Sequence, residues 1–228
     1  MGALVAAGAL VLALVVFGAP GKRGPTDLPF QAGYVSCCAA NVVSASWRTP
    51  TIAHGVGFGE EAAWVGVQTG TTFFLQAGTI EEQDGVGDDY FAFWSDTERQ
   101  FLPQYFPDMV HPGDLVHAQL RRTATQWVVT FRDVTGRWTD TASIPSTGVP
   151  AVSGEWLDED LVVVNGVLPT TLRQVTAMPP TSPLVFQSVE LNGAFPSDIV
   201  AASFEDASHR HFVPHWLAPA RFEVVPTP

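Results

Sequence analysis

The chain has 228 residues, 46% of them hydrophobic and only 15% charged, with 7 tryptophans and 15 phenylalanines. That is enough apolar material for a substantial core, which excludes a disordered chain. A net charge of −12 excludes a nucleic-acid binder, which needs a basic footprint.

In chain order, residues 1–20 carry no charged side chain and Lys22-Arg23 follow. This is the length of a signal peptide's apolar core or of a single membrane anchor. The expectation is export, to a secreted or extracytoplasmic membrane-anchored location, with cleavage and anchoring both open. Residues 21–29 are a linker, and 30–228 form one domain. Strand-like runs then recur around Gly33–Val35, Val42–Trp47, Ala62–Val67, Thr72–Ala77, Tyr90–Trp94, Leu115–Arg121, Trp127–Arg132, Ser153–Leu157, Leu161–Val164 and Leu184–Leu191. Turn formers such as Asp84-Gly85, His111-Pro112-Gly113-Asp114 and Thr135-Gly136 separate them. Short strands at this spacing predict an all-β antiparallel sandwich or barrel. The 2 cysteines are adjacent, Cys37-Cys38, so neither has a distant partner within the chain. The C-terminal stretch holds His209, His211 and His215; their spacing matches no closed zinc pattern, and they read as solvated histidines rather than ligands. No metal or other cofactor is expected.

Two stretches carry the chemistry. In T-T-F-F-L-Q-A-G-T, residues 71–79, Phe73, Leu75 and Ala77 share one face and Thr72, Phe74 and Gln76 the other. An amide at Gln76 is costly in an apolar strand, about 1–3 kcal/mol if it is buried without partners. In S-G-E-W-L-D-E-D, residues 153–160, Ser153, Glu155 and Leu157 share a face opposite Gly154 and Trp156, ahead of an exposed-looking acidic corner. Glu155 is either a glutamate on a solvated sheet face or a general base in a groove, with a pKa set by burial and neighbours. There is no G-x-S-x-G, no pair of Asp-Thr/Ser-Gly motifs and no phosphate-cradling glycine loop, which sets those enzyme classes aside.

Taken together, these fragments resemble the glutamic peptidases, the eqolisin or scytalidoglutamic peptidase-like family. Ala32-Gly33-Tyr34-Val35 is similar to the family's W-A-G-Y-V, and Val43-Ser44-Ala45-Ser46-Trp47 with Pro50 to its V-S-x-x-W-x-x-P. Ala63-Trp64-Val65-Gly66-Val67 resembles W-V-G-I, and Leu75-Gln76-Ala77-Gly78 resembles L-Q-x-G. Tyr90–Trp94 stands for the aromatic segment, and Glu155-Trp156-Leu157-Asp158-Glu159-Asp160 resembles E-W-I-V-E-D. The resemblance spans roughly residues 30–192. It implies an antiparallel double-sheet β-sandwich of the concanavalin or lectin jelly-roll kind, with a substrate groove on its concave sheet. It further implies an acid-active endopeptidase, acting as a monomer on protein or peptide substrates. Gln76 and Glu155 are then the catalytic pair, and Glu155 is expected to ionise near its reference pKa of about 4.3. Trp64, Phe93, Trp94 and Trp156 are candidates to line the groove, with a core role equally open for each. The alternative is a lectin-like module that binds peptide or carbohydrate with weak or no catalysis. The pattern departs from the family at Gln68, at Ser95-Asp96 and at Thr79-Ile80, where acidic side chains are usual, and in lacking its disulfide cysteines.

Overall fold

The computed structural model describes residues 26–27, 31–52, 59–69, 73–83, 87–146, 151–160, 182–205 and 211–227. The leader, most of the linker, His54, His209 and the strand expected at Leu161–Val164 lie outside the described residues. Among the described residues the regular structure is entirely β: β1 (Thr26–Asp27), β2 (Gln31–Ser36), β3 (Val42–Arg48), β4 (Gly59–Thr69), β5 (Phe73–Gln83), β6 (Asp88–Asp96), β7 (Gln104–Met109), β8 (Leu115–Arg122), β9 (Gln126–Asp133), β10 (Trp138–Pro145), β11 (Ser153–Asp160), β12 (Leu184–Leu191), β13 (Ile199–Glu205), β14 (His211–Ala218) and β15 (Arg221–Thr227).

These strands form two antiparallel sheets of 7 strands each, a β-sandwich. The first runs β7-β6-β5-β4-β11-β2-β13 and the second β10-β9-β8-β3-β12-β15-β14, with β1 added in parallel to β13. β13 joins the sheets, pairing with β2 through Ile199–Ala202 and with β14 through Phe204 and Glu205.

Period-two alternation decides what each strand buries. Ala63, Val65 and Val67 of β4, Leu75 and Ala77 of β5 and Trp156 of β11 point inward, onto Val43, Ala45 and Trp47 of β3 and Phe186 of β12. Two of the indole N–H groups buried between the sheets find oxygen on the opposite one, whereas Trp127 Nε1 has no partner among the described residues. Trp156 Nε1 donates to the Ser44 carbonyl at 2.9 Å, and Trp47 Nε1 to Thr79 Oγ1 at 3.1 Å. Trp156→Phe is expected to cost roughly 1–3 kcal/mol, because the Ser44 carbonyl loses a donor where water is excluded; urea unfolding measures this. Gly154 lets the sheets approach here, since a Cβ on it would come within 2.8 Å of both Leu191 Cδ1 and Val43 Cγ2.

β7, β10, β13, β14 and β15 have no counterpart among the expected strands; β15 alternates buried Phe222 and Val224 with Arg221 and Glu223, so lack of apolar contrast accounts for only some of them. β7 contains Pro107 and is largely exposed, β10 alternates threonine and serine with partly exposed neighbours, and β14 contains Pro214. β7 and β10 are edge strands, where proline and polar side chains cost least.

Candidate active site

On the outer face of the first sheet, one register row holds Gln76, Gly66 and Glu155. Gly66 of β4 pairs directly with Gln76 of β5 on one side and with Glu155 of β11 on the other. Directly opposed residues on neighbouring strands point to the same face, so both long polar side chains rise from the same side of the sheet. Their Cα atoms are two strand spacings apart, about 9–10 Å. The residue between them has no side chain. The two side chains therefore flank a position whose overlying space is taken by the rings of Trp64 and Phe74.

Aromatic rings close the space on either side. A Cβ on Gly66 would stand 2.6 Å from Trp64 Cζ3 and 2.9 Å from Phe74 Cζ. Those two rings meet edge to face at 5.5 Å. Val35, Ala62, Trp64, Phe74, Ile80, Phe93, Leu157 and Ala202 make this face a second apolar cluster, separate from the core between the sheets. Gly66→Ala is expected to destabilise the fold by about 1–3 kcal/mol, since two buried rings must shift to admit a methyl group. A chemical-denaturation midpoint equal to wild type would contradict this.

Each polar group of the row has a serine partner. Gln76 is fully buried, and its Nε2 donates to Ser95 Oγ at 3.0 Å. Gln76 Oε1 has no hydrogen-bond partner in the protein. Ser95 pairs directly with Gln76 across β5–β6, so the same register that aligns the row supplies this contact. Ser153 Oγ donates to Glu155 Oε1 at 3.1 Å. Glu155 is only 8% exposed. Burial pushes its pKa up to about 7, against the smaller lowering effect of the Ser153 hydrogen bond. The expected ionisation near 4.3 is therefore corrected, because the surroundings of Glu155 are apolar and desolvation outweighs one hydrogen bond.

A second carboxyl lies on the same face, four residues further along β11. Glu159 Oε1 accepts from Gln31 Nε2 at 3.0 Å, and Oε2 accepts from Trp64 Nε1 at 2.9 Å. Burial raises its pKa to about 7, the Gln31 and Trp64 hydrogen bonds lower it, and the Glu155 charge raises it. Asp158 and Glu159 are thus not an exposed corner: both are buried, within a central strand flanked by β2 and β4.

The aromatic candidates divide by alternation. Trp64 and Phe93 belong to the outer-face cluster, although both are fully covered. Trp156 does not line this face; it follows Glu155 directly, points between the sheets and belongs to the main core. Trp94 likewise pairs with Ala77 and packs on the inner side, with the Arg99 guanidinium 4.8 Å from its ring centre. Ser153 and Glu159 were within reach of sequence reasoning, sitting two and four residues from Glu155 in one strand. Gly66, Ser95 and Gln31 were not, because their roles depend on which strands pair. Of the C-terminal histidines, His211 and His215 lie in β14, and His211 Nε2 is 3.2 Å from Glu205 Oε2. A separate depression of about 350 Å³, lined by Arg48, Thr51, Ser182, Gln187 and Arg221 among others, involves β3, β12 and β15 of the second sheet and contains no residue of the row.

This topology has known counterparts. Scytalido-glutamic peptidase, solved with a peptide-based transition state analog, superposes with a TM-score of 0.68 over 89% of this chain and 100% of its own, at 17% identity. The fold is that of the glutamic peptidases. SCP-B, a member of the eqolisin family of peptidases solved with the tripeptide Ala-Ile-His, gives a TM-score of 0.60 at 16% identity, over 89% of this chain and 100% of its own. Aspergilloglutamic peptidase from Aspergillus niger gives 0.57 at 17% identity, over 74% of this chain and 99% of its own. No protein-family model and no curated relative matches the sequence.

Proposed function

We propose that this chain is a glutamic peptidase: an endopeptidase in which Glu155 activates water for direct attack on a peptide carbonyl and Gln76 stabilises the oxyanion. The observation that carries this reading is the row Glu155–Gly66–Gln76, a carboxyl and an amide on one face of the sheet, one strand to either side of a glycine, in a fold of eqolisin topology.

The side chains present are sufficient for the chemistry. Ser153 occupies Glu155 Oε1, leaving Oε2 to take a proton from water as the water oxygen bonds to the carbonyl carbon. The Gln76 amide nitrogen carries two hydrogens, and Ser95 takes one of them. The other can donate to the oxyanion of the tetrahedral intermediate, a contact typically worth about 2.7–4 kcal/mol in the barrier. The unpartnered Gln76 oxygen is an acceptor for the attacking water. Protonated Glu155 then returns its proton to the amide nitrogen, and the C–N bond breaks. The substrates are proteins or peptides encountered outside the cytoplasm.

A pKa of about 7 for Glu155 sets the working range. The carboxylate dominates only above that value, and its population falls tenfold per pH unit below it. The acid limb of kcat/KM for the free enzyme is therefore expected near neutrality, so activity rises up to neutral pH rather than peaking in acid. Burial of Glu155 and the non-acidic Gln68 and Ser95 favour the competing reading, a groove that holds peptide without cutting it. Cleavage of an unfolded protein between about pH 2 and pH 8, with pepstatin present, separates the two. No cleavage anywhere in that range, with peptide binding retained, would establish the competing reading.

A further inference from the structure

Among the described residues, one group outside the row brings metal-ligating atoms together: Cys37, Cys38 and Asp198, whose Sγ and carboxylate oxygen atoms all lie within 4.8 Å of one another. The two sulfurs are 3.5 Å apart, and Cys38 Sγ is 3.6 Å from Asp198 Oδ2. A zinc-sized ion bonded tetrahedrally to thiolate and carboxylate has edges of roughly 3.7–3.8 Å between sulfurs and about 3.5–3.6 Å between sulfur and oxygen. Two of the three donor–donor spacings already match edges of such a tetrahedron, and the third is no longer than 4.8 Å.

The backbone holds this arrangement. Ile199 pairs with Ser36 at the end of the β13–β2 ladder, and the Cys37 N–H donates to the Asp198 carbonyl at 3.2 Å, one step beyond it. The Cys38 N–H is bonded to Ser36 Oγ at 3.3 Å, which turns the second thiol back beside the first. Ser197 Oγ donates to Asp198 Oδ2 at 3.5 Å. Cys37 is exposed and Cys38 partly so, leaving an ion a path from solvent and a fourth position for water.

We infer that Cys37, Cys38 and Asp198 form a binding site for a thiophilic divalent cation of the Zn²⁺ class. Both thiols release their protons on binding, so affinity falls in acid, and the chain's net charge of −12 favours a cation. The site is independent of peptide hydrolysis and needs no catalytic step.

Because the chain has only 2 cysteines, a thiolate–metal signal can come from nowhere else. The test is Co²⁺ titration of the full reduced chain at neutral pH, after a thiol assay confirms both cysteines are free. A thiolate-to-Co²⁺ charge-transfer band saturating at one ion per chain, and bleached by Zn²⁺, is the expected result. Cys38→Ser should remove at least half of the band. Asp198→Asn should weaken Co²⁺ binding by at least the about 10–100-fold that even an outer ligand partner is worth. All three residues are at the surface end of the ladder, so thermal midpoints of the variants without metal should match wild type, which checks folding. Absence of the band overturns the site. So does one ion per two chains, or unchanged affinity in Asp198→Asn.

Discussion

Glu155→Gln is expected to reduce peptide hydrolysis by about 10²–10⁴-fold, the usual worth of a general base, and Gln76→Ala by about 10²–10³-fold, the worth of one oxyanion donor. The two effects differ in kind. Glutamine at 155 keeps an acceptor for Ser153 Oγ and nearly the same volume, so the site stays packed but cannot take a proton. Alanine at 76 removes both the N–H that the proposed mechanism assigns to the oxyanion and the partner of Ser95. The double variant should be little worse than Glu155→Gln alone, because both groups act in one step. Stability separates a catalytic from a merely structural role. Above pH 7, Glu155→Gln should unfold at a temperature equal to or higher than wild type, because an amide has no ionisation to suppress. Activity surviving in both single variants would remove Glu155 and Gln76 from the mechanism. Loss of activity accompanied by a lowered Glu155→Gln midpoint would make Glu155 structural.

The second large effect is on stability, which should be greatest in acid and fall toward alkaline pH. Glu155 and Glu159 are both raised to about 7 from an ordinary 4.5, in each case first by burial. Glu81 is raised well above 4.5 by burial and by Glu61, the residue directly opposite it on β4. Both of these glutamates are buried on the inner side of the sheet, beside Tyr90. Glu60, opposite Glu82, is also raised to about 7, by burial and then by Glu82.

The sign follows from proton counting. Below pH 4.5 folded and unfolded chains both hold these protons, and the contribution to stability is complete. Between 4.5 and 7 the unfolded chain releases protons that the folded chain keeps, so stability falls as pH rises. Above about 7 the folded carboxyls ionise too, and the loss levels off for Glu155 and Glu159 at roughly 3 kcal/mol each if they acted alone. They interact, so their joint effect is not the plain sum. His117 works in the opposite direction, its pKa lowered first by burial, but it is a single, partly exposed group. A loss of several kcal/mol is large beside a typical total stability of about 5–15 kcal/mol. At about 2–4 °C per kcal/mol for a chain of this size, the thermal midpoint should drop by about 10 °C or more between pH 4.5 and pH 8. Glu81→Gln should flatten this dependence without touching the Glu155 row. A midpoint at pH 8 equal to or above that at pH 4.5 would refute the account.

Strong acid and mild acid then have different consequences for one molecule. The fold is expected to be most stable where Glu155 is fully protonated, whereas the proposed hydrolysis needs its carboxylate. Activity should rise toward neutrality as stability declines, giving a narrow optimum set by two opposing titrations of the same kind of buried group.

Much of this was legible before folding. Alternation put Phe73, Leu75 and Ala77 on one face and Phe74 and Gln76 on the other, and separated Glu155 from Trp156. Period two is a local property of an extended chain, so it survives without knowledge of partners. The same alternation was enough to remove Trp156 from the groove once the face of Glu155 was known. The edge strands β7 and β10 left no comparable trace, because strands that bury little need little apolar contrast.

What the amino-acid order determined by itself is the β class, the face of each side chain within its strand, and the conspicuous amide and carboxyl at 76 and 155. Only the tertiary structure decided that both stand opposite Gly66, that Ser95 is the partner of the amide, and that Glu155 is buried deeply enough to titrate near 7. Register and desolvation are the reasons. Pairing of strands some 80–90 residues apart depends on the closure of the whole sandwich, and a carboxyl's pKa depends on the water its neighbours exclude.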